Sequence, residues 1–340
     1  GAAESPAQHR YPVWWTGDDV SLQASIESMV DGGVHGFKPF VHSDCGGDYR
    51  GSAGDLLRWT GHCTFGSILR FHGNDHRPWT YGEAVEATIR SYLAIRYKLV
   101  PALIAAGHKS AEDASPLVAR CDLFWPEHAE SRSNLQYIFL NDTLVAPIYN
   151  STANVTDRSV WIPPGRWQDG WNGTIVTGPA TLSVSQPYER VPLWHRADGG
   201  LVMAVEQPAT RVDEQDWSRI TLHAFPALDQ TRSTSRTLRE RATGSRTSLT
   251  MRTHGDGRRV RFEVGAAEDG SERGWLIRCQ LPRAYGVAAG ALAVSATVDG
   301  AIASAIVLAP YHDSTTITPF GSAGARPASG GAPVLELAVP

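Results

Sequence analysis

The feature that most constrains this chain is a pattern that occurs three times in its first 106 residues. An apolar segment ends in a polar residue, a glycine turn follows, and a helical segment comes next along the chain. The three polar residues are Asp18, Asp44 and His72. In repeated βα units the carboxyl ends of parallel strands meet at one edge, where functional side chains gather. The pattern therefore predicts an α/β fold with these three residues at one mouth.

Hydrophobic spacing predicts the elements of these units. The predicted helices occupy residues 21–33, 53–63 and 81–106, and the predicted strands between them occupy residues 36–43 and 67–72. Leu22, Ile26, Met29 and Val30 share one helical face, and Pro101 is expected to bend the last turns of the third helix. Three units cannot close an eight-stranded barrel. We therefore expect the second part of a (β/α)8 TIM barrel whose first part lies elsewhere.

From residue 115 onward the pattern becomes β-rich. We expect a helix turn and a buried strand in 135–148, short strands in 160–173 and 187–196, and a hairpin joining 248–253 to 259–264. Further strands are predicted at 275–281, 292–298, 305–308 and 334–339. The predicted organisation is α/β plus all-β, with two C-terminal β-sandwich domains after the barrel part. The predicted domains span residues 1–144, 145–207 and 208–340.

Composition narrows the classes of function. The 340 residues are 42% hydrophobic and 19% charged, which is typical of a globular protein. A net charge of −4 gives no basic footprint for nucleic acid, and no apolar run is long enough for a transmembrane segment. The four widely spaced cysteines form no metal signature, so we expect structural cysteines whose pairing the sequence leaves open. No metal or organic cofactor is implied.

The asparagines indicate a compartment. Only six occur, and four of them begin the acceptor motif for N-linked glycans: Asn141, Asn150, Asn154 and Asn172. So high a share favours a secreted or lumenal glycoprotein of the secretory pathway. Asn141 lies in an apolar run, where a glycan would fit poorly.

The ordered motifs of the first 170 residues resemble glycoside hydrolase family 31, the α-glucosidase and α-xylosidase family. The matching segments are RYPVWWTGD (10–18), DCGG (44–47), RWTGHCTF (58–65), RFHG (70–73), QYIFLNDTLVAP (136–147) and IPPGRWQD (162–169). The likeness extends over about residues 10–208, whereas the last β-rich region carries no specific motif. It implies a C-terminal part of a retaining α-glycosidase that hydrolyses O-glycosyl bonds.

The resemblance also implies roles for individual residues. Asp18 would be the general acid/base, Trp15 would stack against the sugar, and Asp44 would shape the pocket. Arg70 would orient neighbouring carboxylates, and His72 would hydrogen-bond sugar hydroxyls. Taken singly, each has a plainer interpretation: Asp18 as a turn or N-cap residue, Trp15 as a core aromatic, and His72 as a core histidine.

Departures from the family pattern define what this chain lacks. The nucleophilic aspartate of the family lies upstream of the acid/base, and no matching motif occurs in these residues. We therefore expect a partner, either the N-terminal part of the same precursor or a companion chain, that carries the nucleophile. Asp48 also stands where the family often has an aromatic residue. An α-glucoside is the first expected substrate and an α-xyloside the second.

Two other classes of function stay open at this point. One is a non-catalytic, glycosidase-like subunit that binds sugar or acts as a scaffold. The other is a β-rich adhesion module, which fits only the residues after 208 and leaves the spacing of Asp18, Asp44 and His72 unexplained.

Overall fold

The computed structural model describes residues 12–19, 21–35, 38–48, 51–71, 76–150, 156–227, 229–255, 259–271, 273–280, 293–298, 301–302, 305–310 and 333–339. The chain divides into two compact units. The first comprises residues 1–96, 106–164 and 177–194, and the second comprises residues 97–105, 165–176 and 195–340. The domain boundaries predicted at residues 144 and 207 stay predictions.

The chain begins with alternating short strands and helices. In order they are β1 (Val13–Trp15), α1 (Leu22–His35), β2 (Phe40–His42), α2 (Ala53–Thr64), α3 (Glu83–Lys98) and α4 (Val100–Asp113). The apolar face predicted for α1 is buried, and Ser52 caps α2 through a reciprocal hydrogen-bond pair with Asp55. Among the described helices, none is both long and apolar enough to cross a bilayer. The strand–helix alternation predicted for this region is confirmed.

The prediction of one long helix over residues 81–106 is wrong. The structure has two helices, α3 and α4, separated at Leu99, and a short 3₁₀ helix, Pro78–Tyr81, precedes them. Pro101 lies in the first turn of α4 instead of bending the end of a continuous helix. Proline lacks an amide proton, and its ring collides with the carbonyl four residues earlier. A proline is therefore well tolerated in the first turn of a helix, and in a helix interior it kinks or breaks the helix.

Over its described residues, 67–71, the strand predicted at 67–72 is reduced to a single bridge. Phe71 pairs with Cys45 in parallel orientation, and residues 68–70 form no ladder. Arg96 explains why this segment is held in place without a full strand. Its guanidinium donates hydrogen bonds to the carbonyls of Thr64, Gly66 and Ser67. These carbonyls at the end of α2 are therefore paired by a side chain instead of by a neighbouring strand.

A sheet of six strands follows. They are β3 (Val118–Ala119), β4 (Tyr137–Phe139), β5 (Thr143–Val145), β6 (Asp157–Asp169), β7 (Ile175–Ser185) and β8 (Leu193–Arg196), in the spatial order β3-β4-β5-β8-β6-β7. The helix turn expected before β5 is wrong, because β4 occupies that position. Leu140 and Asn141 turn the chain between β4 and β5 with positive φ angles. The short strands predicted over residues 160–173 are one continuous strand, β6, up to Asp169, and β7 was not predicted.

The second unit contains two five-stranded sheets. Their strands are β9 (Gly200–Val205), β10 (Arg219–Phe225), β11 (Arg232–Arg239), β12 (Arg246–Thr253), β13 (Arg259–Val264), β14 (Gly274–Gln280), β15 (Ala293–Val298), β16 (Ala301–Ile302), β17 (Ala305–Pro310) and β18 (Pro333–Val339). The spatial orders are β17-β18-β14-β10-β9 and β11-β12-β13-β15-β16. The predicted antiparallel pairing of β12 with β13 is confirmed. Part of its predicted turn, residues 256–257, lies outside the described residues.

Alternation explains why these strands form the core of the second unit. Every second residue of β12 and β13 is buried, and most of these residues are apolar, including Leu249, Met251, Val260 and Phe262. On β10 and β14, the buried residues include Ile220, Leu222, Trp275 and Ile277. Successive side chains of a strand point to opposite faces, so each of these strands presents one apolar face to the core.

Two histidines, His62 and His195, are fully buried and uncharged. His62 of α2 lies with Nε2 3.4 Å from the hydroxyl of Ser25 and Nδ1 3.3 Å from that of Tyr137. In the second unit, the ring of His195 packs 5.1 Å from that of Phe225. Burial lowers the pKa of His62 to about 3 and that of His195 to about 3. Both imidazoles are therefore neutral in the folded protein at neutral pH.

We predict that the free energy of unfolding falls as the pH drops below 6.5. The unfolded chain then binds protons at His62 and His195 while the folded chain does not, at about 1.4 kcal/mol per pH unit for each histidine. Urea unfolding at pH 7.5 and at pH values below 6.5 measures the effect. His62→Gln should lower stability at pH 7.5 and reduce the pH slope, and an unchanged slope would contradict the explanation.

Candidate active site

Parallel pairing brings the ends of three successive segments side by side. Trp15 of β1 is opposite His42 of β2, and the amide of Thr16 donates to the carbonyl of His42 at 3.0 Å. The next contact along the sheet joins Cys45 to Phe71, with the amide of Cys45 2.8 Å from the carbonyl of Arg70. The carboxyl ends of these segments therefore lie at one edge, as a βα repeat requires.

The described part of this edge contains four of the five predicted site residues. Asp18 follows β1, Asp44 follows β2, Arg70 precedes the bridge residue Phe71, and Trp15 is the last residue of β1. His72 is the fifth predicted residue, and it lies outside the described residues.

Asp44 is a buried carboxylate with an arginine partner. It is 5% exposed, and its Oδ1 lies 3.0 Å from Nε of Arg70, whose Nη2 donates to Oδ2 at 3.5 Å. His42 Nδ1 is 3.9 Å from Oδ1 of Asp44. Burial lowers the pKa of His42 despite the opposing attraction of Asp44. Because the imidazole is then neutral at pH 7, Arg70 is the cation that balances the charge of Asp44.

Asp18 and Asp19 are adjacent in sequence but differ in environment. Gly17 turns the chain with φ +99°, and the side chain of Asp18 is exposed to solvent. Asp19 accepts a hydrogen bond from the hydroxyl of Thr16 at 2.6 Å, and its carbonyl accepts the amide of Asp48 at 3.1 Å. Asp19 therefore ties the turn after β1 to the turn after β2. Asp18 is left as the accessible carboxylate of the pair.

The tryptophans of β1 face opposite ways. Trp15 is 46% exposed and lies on the same side of the strand as Val13, which is 57% exposed. Trp14 is partly buried on the other side, with Nζ of Lys38 3.8 Å from its ring centroid. In this chain, then, Trp15 is a surface aromatic and not a core residue.

Two contacts at this edge were missed by the sequence predictions. Cys45 forms a disulfide with Cys63 of α2, which fixes the residue after Asp44 to the following helix. The buried ring of His76 also packs directly against Gly46. The glycine pair of DCGG was the available signal, because Gly46 and Gly47 both have positive φ angles. The partner His76 lies 30 residues away and carries no motif.

Cys121 and Cys279 are buried, and each has a free thiol. Burial raises the pKa of the Cys121 thiol to about 12, so it is not ionised at neutral pH. Of the residues that the structure describes, no three or more His, Cys, Asp or Glu side chains are grouped so that they could hold a metal ion.

The sequence was compared with known protein families. Residues 3–106 match the TIM-barrel domain of glycosyl hydrolases family 31, and residues 115–199 match the C-terminal domain of the same family. Together the two matches cover more than half of the chain. This chain belongs to glycoside hydrolase family 31. The predicted family and the predicted fold class are thereby confirmed.

Relatives within family 31 include enzymes named for two sugars. The chain is 28% identical over 229 residues to α-glucosidase 2 of Bacillus thermoamyloliquefaciens, covering 64% of this chain and 28% of that protein. It is 24% identical over 233 residues to an α-xylosidase of Saccharolobus solfataricus, covering 64% of this chain and 31% of that protein. The chain therefore spans less than a third of the length of these two relatives.

The fold is shared with solved structures. The cycloalternan-forming enzyme of Listeria monocytogenes, solved with a pentasaccharide substrate, superimposes with a TM-score of 0.70. That match is 18% identical in sequence and covers 96% of this chain and 32% of the enzyme. At this level of identity the likeness establishes the fold.

We predict that Gly46→Ala destabilises the protein more than Gly82→Ala. Both glycines have positive φ angles, which cost an alanine about 1–3 kcal/mol. A Cβ at Gly82 would meet open space, whereas one at Gly46 would lie 2.6 Å from the buried ring of His76. The added crowding should cost about 1–3 kcal/mol more. Chemical denaturation of both variants tests this, and equal losses would show that His76 moves aside freely.

Proposed function

We propose that this chain is the C-terminal portion of a retaining α-glycosidase and supplies its general acid/base, Asp18. The observation that carries the proposal is the parallel pairing of β1 with β2 within the family 31 barrel region. This pairing places the exposed Asp18 at the same edge as the buried Asp44 and its partner Arg70. This edge therefore contains an accessible carboxylate, Asp18, and a buried carboxylate, Asp44, that is paired with Arg70.

The different environments of the two carboxylates support the assignment of Asp18. A general acid must reach the leaving oxygen and exchange its proton with solvent. Asp18 is exposed, whereas Asp44 is buried and forms an ion pair with the guanidinium of Arg70. Asp44 is thus better suited to orient groups in the pocket, and Arg70 to hold it in place.

Substrate contacts are proposed for three residues of this edge. The exposed indole of Trp15 presents an apolar face that can stack against the C–H face of a sugar ring. Arg70 is half exposed, so its guanidinium can donate hydrogen bonds to hydroxyls as well as to Asp44. His72 would follow directly in the chain.

The second carboxylate is proposed to come from outside this chain. Retaining hydrolysis needs a nucleophile about 5–5.5 Å from the acid/base. In the described residues, β1 pairs with β2 alone, so its other edge has no strand partner, and Val13 and Trp15 beside that edge are exposed. Open edges are normally covered in native proteins. The missing strands of the barrel, on the N-terminal part of the precursor or on a companion chain, would cover this edge and carry the nucleophile.

The substrate class is proposed from the relatives. An α-glucoside comes first and an α-xyloside second, since matched relatives are named α-glucosidase and α-xylosidase. Asp48 is exposed, and its backbone is tied to Asp19, so its carboxylate would make this part of the edge polar.

A secreted or lumenal location is proposed on two grounds. The Cys45–Cys63 disulfide is the kind of bond that persists in oxidising compartments, and four asparagines lie in glycan acceptor motifs. Neither the substrate contacts nor the acid/base role depends on this location.

We predict that Asp18→Asn lowers kcat/KM by about 10²–10⁴-fold on substrates with poor leaving groups, because protonation of the leaving oxygen is lost. Aryl glycosides with acidic phenols should be affected much less, since their leaving groups need no proton. Asp19→Asn is the matched control, because its side-chain oxygen can still accept from Thr16. Steady-state kinetics of the full-length protein measures both. Equal losses at the two positions, or on both substrates, would refute the assigned role of Asp18.

Covalent trapping distinguishes the proposed enzyme from the alternative, a non-catalytic sugar-binding or scaffold subunit. The full-length protein is incubated with fluorinated α-glucosyl and α-xylosyl fluorides, which trap the glycosyl-enzyme intermediate, and the labelled peptide is located by mass spectrometry. We expect the label on a carboxylate outside these 340 residues. A label on Asp44 or Asp18 would overturn the assignment of roles. No label with either reagent would favour a non-catalytic sugar-binding or scaffold subunit, the alternative suggested by the absent nucleophile motif.

A further inference from the structure

The turn between β6 and β7 is held by hydrogen bonds to the side chain and the backbone of Asp169. Oδ1 of Asp169 accepts hydrogen bonds from the amides of Trp171 at 2.7 Å and Asn172 at 3.0 Å. The amide of Gly173 donates to the carbonyl of Asp169 at 2.9 Å, and the amide of Asp169 donates to the carbonyl of Thr174 at 2.8 Å. The six residues 169–174 are therefore held in a defined geometry.

This turn sets the geometry of an Asn-Gly-Thr acceptor motif. Oδ1 of Asn172 accepts the amide of Thr174 at 2.9 Å and its hydroxyl at 2.7 Å. Gly173 has φ +73°, which allows the chain to fold back so that the threonine reaches the asparagine. The side chain of Asn172 is exposed. With its oxygen engaged by Thr174, the amide nitrogen Nδ2 is the atom left to react.

We propose that Asn172 carries an N-linked glycan, and that the turn formed by residues 169–174, the Asp169 turn, presents it to the transferase. Nδ2 attacks the anomeric carbon of an oligosaccharide carried on a lipid pyrophosphate. A bond from Nδ2 to that carbon forms, the bond from the carbon to the pyrophosphate oxygen breaks, and the lipid pyrophosphate leaves. One amide proton passes to a base of the transferase, and no oxidation or reduction takes place.

The geometry distinguishes Asn172 from the competing motif at Asn141. Asn141 is only partly exposed and has a positive φ angle in the turn between β4 and β5. The two residues that complete its motif, Asp142 and Thr143, are 3% and 1% exposed. A glycan there would have to leave a closely packed turn, whereas one on Asn172 would extend into solvent. Asn154 lies outside the described residues, as does the threonine that completes the motif at Asn150.

The local nature of the turn matters because glycans are added to chains that have not finished folding. Every hydrogen bond described above joins residues within five positions of one another. Contacts at such short separation can form before distant parts of the chain meet. The Asp169 turn can therefore present Asn172 in the nascent chain as well as in the folded protein.

Digestion with trypsin places Asn172 on a different peptide from the other three acceptor asparagines. Cleavage after Arg166 and Arg190 releases a peptide whose one acceptor motif is Asn172, and cleavage after Arg132 and Arg158 releases a peptide that contains the other three. The native protein from its source is treated with a peptide N-glycosidase in heavy-oxygen water, which converts each glycosylated asparagine to a heavy aspartate. We expect that conversion at Asn172 in most molecules and none at Asn141. An unmodified Asn172 would overturn the proposal, whether or not the other peptide is labelled.

Variants of the full-length protein, expressed through a eukaryotic secretory pathway, test the role of the turn. Thr174→Ala should abolish the glycan and Thr174→Ser should retain it. Asp169→Asn leaves the acceptor motif intact and is expected to lower occupancy relative to wild type, because the amide group is a weaker acceptor for the two turn amides. Asn141→Gln is the matched control and should leave the glycan mass unchanged. Unchanged occupancy in soluble, secreted Asp169→Asn would overturn presentation by the turn.

A negative result in the glycan experiments would be distinguishable from a negative result in the tests of glycosidase function. Glycan occupancy is read from peptide masses and requires no activity. A protein without glycans would refute this inference and count against the secretory location. The kinetics of Asp18→Asn and the trapping result would stand as before.

Discussion

The parallel register that places Trp15 opposite His42 is the constraint on which the site depends. It aligns the end of β1 with the end of β2, so the turn that carries Asp18 and the turn that carries Asp44 leave the sheet at the same edge. The backbone bond between Asp48 and Asp19 then ties the two turns together. A slip of one residue would send alternate side chains to the opposite face and would separate these groups.

The segment after Asp44 is held by three different interactions. Arg70 neutralises the carboxylate, the disulfide joins Cys45 to Cys63, and the buried ring of His76 lies against Gly46. Each acts from a different part of the chain, so this segment is fixed from several sides. The turn with Asp18 is supported by Asp19 and leaves Asp18 itself accessible. A segment held from several sides beside an accessible carboxylate is compatible with the proposed role of Asp18 as general acid/base.

Local patterns predicted much of the fold and some of the site. The apolar spacing of α1, the position of α2 and the alternation of β12 and β13 are visible in the sequence because each depends on neighbours within a few residues. The break between α3 and α4 was not predicted, although Pro101 was expected to bend the helix, because local sequence does not decide whether a proline bends a helix or begins a new one. The strand predicted at 67–72 is, over its described residues, a single bridge at Phe71. The carbonyls just before it are bonded to Arg96, a contact from 29 or more residues away that local sequence does not reveal.

The sequence by itself determined the family and the order of polar residues at strand ends, because these are carried by short motifs at fixed spacing. It could not determine which aspartate stays accessible or which cysteines pair. Asp44 is neutralised by an arginine 26 residues away, and Cys45 is bonded to a cysteine 18 residues away. Such pairings depend on which distant segments meet when parallel strands align. Only the tertiary structure decides that, because burial and charge pairing are properties of the packed chain and not of the local sequence.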